Sequence, residues 1–167
     1  STLGSDATGN GSPAAPFRTL THVLAPSAAI ARSRDTVTLL GPAGNNTFRE
    51  CDVRLRVPLT LRSPAGEMAR IHCDLTTTDS VAIQIDPEAS GSRLSRLEIS
   101  GGYYYGIFLQ TDWDQRSNPG GTGASDIVIE DVKIHDTGRD GIKITPKCDH
   151  VTIRRSEIWN TGAIYPA

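Results

Sequence analysis

Apolar residues along this chain come in short alternating pairs with one polar or small residue between them, and the pairs recur at nearly constant spacing. Ile83 and Ile85 match Ile107 and Leu109 at a shift of 24, and those match Ile142 and Ile144 at 35. Running backwards, Leu59/Leu61 and Val37/Leu39 extend this first column at shifts of 24 and 22. A second column reads Val53, Leu75, Ile99, Ile134 and Ile158. The stretch from Asp126 to Gly138 also resembles that from His150 to Gly162, with Ile129 matching Ile153 at 24. Period-two alternation is the pattern of a strand. Strand-sized pieces that recur in register imply coils stacked about 4.8 Å apart, each burying its apolar column on the next. The pattern therefore predicts an all-β parallel solenoid over residues 35–167, behind a lead and capping helix in 1–34. The 11 residues by which one coil exceeds the others fall in the stretch from Thr111 to Ser125.

An open solenoid end exposes unpaired backbone, so its ends need covers. Residues 16–32 read as an amphipathic helix in which Phe17, Leu20, Val23 and Leu24 share a face. Pro16 would start it, and Pro26 would kink or end its first half. At the other end, one period beyond Gly141 lands on Tyr165. The sequence is thus expected to stop inside a coil, with the C-terminal part of a longer solenoid, or another body, covering that end.

Composition narrows the partners. The formal net charge of −2 gives no global field for nucleic acid or an anionic membrane, and neither is expected as a partner. Apolar runs fall far short of the roughly 18–20 residues a transmembrane helix needs. Cys51 and Cys73 each precede a second-column residue by two, so they are expected to stack on neighbouring coils within disulfide reach. Such a bridge would suit an oxidising, extracytoplasmic setting. Cys148 has no partner of this kind.

The order of signals resembles a known family. A glycine-rich lead from Gly4 to Gly11 (GSDATGNG) precedes a Pro16–Phe17 helix start and a first strand at Asp35–Leu39. This resembles the opening of secreted pectate-lyase-like proteins, which are right-handed parallel β-helices. The resemblance implies a polysaccharide-active protein, with substrate lying along the outward face of the strand after each glycine turn. Here that strand is Gly141–Ile144 and its equivalents, whose outward positions read Gln84, Phe108 and Lys143. Some lyases of this kind hold calcium with an Asp-Asp-Gly-x-Asp turn. The matching residues here are Arg139, Asp140, Gly141, Ile142 and Lys143, so only Asp140 and the glycine carry over. Asp140 remains as the candidate metal ligand, flanked by cations that would repel calcium.

β-Elimination from a uronic acid polymer needs its carboxylate neutralised, its C5 proton removed and its leaving oxygen protonated. Arg139 suits the first task. Lys143 suits the second if neighbouring cations favour the neutral amine. His135 is the candidate second proton carrier. In the 111–125 insertion, Trp113 offers a flat face for a sugar ring and Asp112 a polar contact. Tyr105, with Tyr103 and Tyr104, stands in the preceding turn on the groove side. The expected function is a secreted lyase on an acidic polysaccharide. The alternatives are a non-catalytic glycan-binding or surface-display β-helix, or a glycoside hydrolase drawing a carboxylate pair from Asp112, Asp114, Asp136 and Asp140.

Overall fold

The computed structural model describes residues 1–41, 46–111 and 121–165. Twelve strands follow one short helix, α1 (Leu20–Leu24): β1 (Thr36–Thr38), β2 (Thr47–Arg49), β3 (Val53–Leu55), β4 (Thr60–Arg62), β5 (Ala69–Cys73), β6 (Val81–Ile85), β7 (Arg93–Gly101), β8 (Tyr105–Leu109), β9 (Val128–His135), β10 (Asp140–Ile144), β11 (Thr152–Arg154) and β12 (Glu157–Trp159). Every strand pairing is parallel.

The chain visits three faces in a fixed order. The first face runs β1, β4, the start of β7, the start of β9, then β11. The second runs β2, β5, the end of β7, the end of β9, then β12. The third is the separate four-stranded sheet of β3, β6, β8 and β10. β7 and β9 serve two faces because each bends at one residue of positive φ, Arg96 (54°) and Asp131 (54°). Arg155 (50°) stands at the same corner one coil later.

The inward residues form three columns. They are Val37, Leu61, Leu94, Ile129 and Ile153 on the first face, and Phe48, Ile71, Ile99, Ile134 and Ile158 on the second. The third face stacks Val53, Ile83, Ile107 and Ile142. Leu61, Leu94, Ile71, Ile99, Ile83 and Ile107 are wholly buried.

These pairings confirm the expected columns from Ile83 and Ile99 onward and correct them before that. Val37 stacks on Leu61, not Leu59, and Val53/Leu55, not Leu59/Leu61, precede Ile83/Ile85. Ile71, not Leu75, precedes Ile99, and Phe48 precedes Ile71. The early strands are three residues long, so alternate apolar residues a position or two away fit a regular period as well as the true partners do.

The capping helix is also shorter than expected. It ends at Leu24, just before Pro26, because proline cannot continue the backbone ladder. Thr19 caps it by accepting from the His22 amide. Glu50, which follows β2, accepts from the Leu20 and Thr21 amides at 2.8 Å each and fastens the helix to the coils. Leu20 and Leu24 face inward. Below this cap, Cys51 and Cys73 form the expected disulfide, with their Cα atoms 4.6 Å apart.

Candidate functional site

The third face carries most of the residues expected to line a groove. Its outward row is Arg54, Gln84, Phe108 and Lys143 in four successive coils. Asp86 lies nearly buried beside its start and accepts from Arg54 Nε (2.6 Å) and Gln84 Nε2 (2.8 Å). Gln84 also bonds Gln110 in the next coil. The floor at this end is therefore a satisfied polar network. Phe108 is only 9% exposed, and the Tyr105 ring leans over it at 5.3 Å between centroids.

The backbone explains how the row meets its turn. A Cβ at Gly106 would approach Gly141 O and Ile134 Cγ2 at 2.7 Å, so the inside of this corner admits hydrogen alone. With the corner tight, Tyr103, Tyr104 and Tyr105 stand on its outside. Tyr104 stacks on Tyr165 at 5.8 Å, and Tyr103 meets Tyr165 edge-on at 5.7 Å. All four tyrosines of the chain, with Phe108, thus make one aromatic shelf. Hydroxyls fix its outer edge. Tyr104 donates to Asp79 Oδ1 at 2.8 Å, and Tyr165 donates to Tyr103 Oη at 3.1 Å. The hydroxyl contact shared with Tyr165 holds the Tyr103 phenol above its ordinary pKa, and the bond donated to Asp79 does the same for Tyr104. Both phenols keep their protons.

The structure brings together Gln84, Phe108, Lys143 and Tyr105 among the residues expected at the site. Lys143 is half-buried, and no carboxylate among the described residues lies within ion-pair distance of it. Arg139 and Asp140 stand where the turn enters β10, 3.9 Å apart, and Asp140 pairs in register with Tyr105. Asp140 supplies one carboxylate, already facing Arg139, and no group of three or more His, Cys, Asp or Glu among the described residues could hold a metal ion. Those residues do not fit a calcium ion, which takes six to eight oxygens. Trp113, Asp112 and Asp114 lie outside the described residues. The insertion that holds them leaves and returns through a backbone bridge between Thr111 and Gly123.

His135 is not brought to Lys143. It ends the second-face part of β9, where Nε2 meets Glu98 Oε1 at 2.9 Å and Nδ1 meets Asp136 Oδ2 at 2.7 Å. Trp159 stacks on its ring at 4.5 Å. Its outward row continues through Ser100 to His72, and Ser100 Oγ lies 2.8 Å from His72 Nδ1. Burial, then Arg49, pushes the His72 imidazole below its ordinary pKa. Glu98 is desolvated, yet bonds from His135 and Arg70 hold it below the usual carboxylate range. Asp136 is held low first by His135 and then by Asn160. Sequence reasoning missed this row. Applying the shifts of 35 and 24 to His135 finds Ser100 and Trp159.

Comparison with known proteins adds one finding. A family model described as a right handed beta helix region matches residues 27–165. No curated protein and no solved structure matches the chain.

Proposed function

Because the chain belongs to the right-handed β-helix family, we propose that its third face is a glycan groove in which an acidic polysaccharide is cleaved by β-elimination. The observation that carries this reading is the unbroken row Gln84–Phe108–Lys143 beside a shelf of all four tyrosines. Aromatic rings offer flat apolar faces to pyranose rings, and phenolic hydroxyls at the shelf edge meet the sugar hydroxyls.

In the proposed step Arg139 neutralises the uronate carboxylate, which lowers the cost of charge developing at C5. The Lys143 amine takes the C5 proton. The electrons of that C–H bond form the C4–C5 double bond, and the C4–O bond breaks. The leaving oxygen takes its proton from solvent, because His135 is turned to the second face. The disulfide supports an extracellular setting for this work.

The test follows absorbance of unsaturated sugar ends on pectate, alginate and glycosaminoglycans, with and without calcium. A rise that falls by about a hundredfold or more in Lys143→Ala would support the lyase, the range a general base contributes. A second reading is a glycan-binding domain without catalysis. It is favoured by Asp86 being tied up by Arg54 and Gln84, which leaves Lys143 as the one proton carrier on the described outward row. Binding without any absorbance change on all three polymers would select it.

A further inference from the structure

Charge is distributed unevenly on the first face. One outward row reads Arg62, Ser95, Glu130 and Arg154 in successive coils, and the neighbouring row carries Arg93. The corner column beside them is Arg96, Asp131 and Arg155. Five guanidiniums therefore face two carboxylates, in a chain whose formal charge is −2.

The two carboxylates act as anchors. Glu130 has a side chain only 6% exposed and accepts from Arg93 Nε (2.6 Å), Arg154 Nε (2.8 Å) and Arg155 Nη2 (3.0 Å). With a further bond from Arg93 Nη2, these fill the roughly four acceptor positions of a carboxylate. Burial opposes its ionisation, but bonds from Arg154 and Arg93 overcome this and hold it below the usual range. Asp131 accepts two further bonds from Arg155, at 2.7 and 3.0 Å. Arg96 turns instead to the Ser63 carbonyl at 2.8 Å. Arg62 is exposed, with no ion pair among the described residues.

The arginines are thus held in place while staying wet, since the side chains of Arg93, Arg154 and Arg155 are 41%, 50% and 56% exposed. Each guanidinium offers five donors; Arg93 and Arg154 bond Glu130 through two nitrogens each, and Arg155 makes three bonds to Glu130 and Asp131. We propose that this face is a second docking surface, separate from the groove, that takes the carboxylate or sulfate groups of an acidic polysaccharide laid along the stack.

Three features select that ligand. Guanidinium forks match planar carboxylate and sulfate oxygens. Arg62 and Arg154 lie three coils apart, a span of about 14 Å, which suits a polymer bearing regularly spaced charges rather than a single small ion. Anchoring by Glu130 and Asp131 removes much of the side-chain ordering cost of binding. The outward positions of this face carry no aromatic ring among the described residues on which a base could stack, which disfavours single-stranded nucleic acid. The inference shares with the groove reading only the ligand class, because it concerns binding and not turnover.

The experiment measures binding of fluorescent polygalacturonate and of dextran sulfate to the full chain, at low and at physiological salt, with neutral dextran as control. The variants are Arg62→Ser, Arg62→Ser/Arg154→Gln, and the groove variant Phe108→Ala/Lys143→Ala, each checked by thermal melt. Affinity for both polyanions is expected to drop about tenfold in the double arginine variant, to fall steeply with salt and to persist in the groove variant. Arg62 makes no protein ion pair, so Arg62→Ser decides the matter if the double variant melts early. Unchanged affinity in the arginine variants overturns the proposal, as does binding that disappears only in the groove variant. Tighter binding to a DNA duplex or to anionic phospholipid vesicles at equal salt overturns the choice of ligand.

Discussion

Opening the Cys51–Cys73 bridge should destabilise the top of the stack and leave the rest nearly intact. The bridge joins residues 22 apart and so closes about one coil. In the chain-entropy account, a loop of that length removes about 3 kcal/mol of conformational freedom from the unfolded chain. For a protein of this size that corresponds to roughly 6–12 °C in the melting temperature of the affected region. Cys73 is fully buried and Cys51 half-buried, so replacing both with alanine also leaves a small void. Reducing the native protein with dithiothreitol opens the bridge without changing volume and isolates the entropic part. In a stack, each coil rests only on its neighbours. Amides of β1 to β5 should therefore lose hydrogen-exchange protection in the reduced protein, while those of β8 to β10 keep theirs. The reasoning fails if reduction leaves the melt unchanged, or if protection drops equally along the whole chain.

Two further outcomes test the site's surroundings. Gly106→Ala should cost about 1–3 kcal/mol, because its methyl would press on Gly141 O and Ile134 Cγ2 at 2.7 Å; urea denaturation of the variant reads this directly. Glu98 and Asp136 both have folded pKa values below their ordinary ones, so the stability they lend is present above the unfolded carboxylate range and lost as pH falls through and below about 4. A melt series from neutral to acid pH should show that loss. It should be shallower in His135→Ala, which removes a partner of both groups.

Much of this arrangement is legible in the residues. The outward row Gln84, Phe108, Lys143 follows from spacing alone, because those coils carry five-residue strands in which only one register keeps every isoleucine inward. The disulfide is legible for the same reason, since one coil separates the two cysteines. The first two coils are less legible because their strands are three residues long and the turns between them vary. Tyr165 joins the shelf through a turn that follows β12, and no periodic signal marks it. His135, one turn upstream of Lys143 in the sequence, is the expected second proton carrier. A corner lies between, and it sends the two side chains to different faces. The arginine surface is hidden in composition, because acidic residues elsewhere cancel it in the net charge.

The bridge between Thr111 and Gly123 gives the insertion a closed neck. On either side of the neck the coil register is set by the pairing of β8 with β10 and of β7 with β9, so the number of residues between Thr111 and Gly123 can change without shifting either ladder. Closing a longer loop is inexpensive, about 0.6 kcal/mol for each doubling of length. The neck is therefore a natural splice point. Exchanging the residues between Thr111 and Gly123 should leave the melting temperature of the coils nearly unchanged, which a thermal melt of the chimera reads.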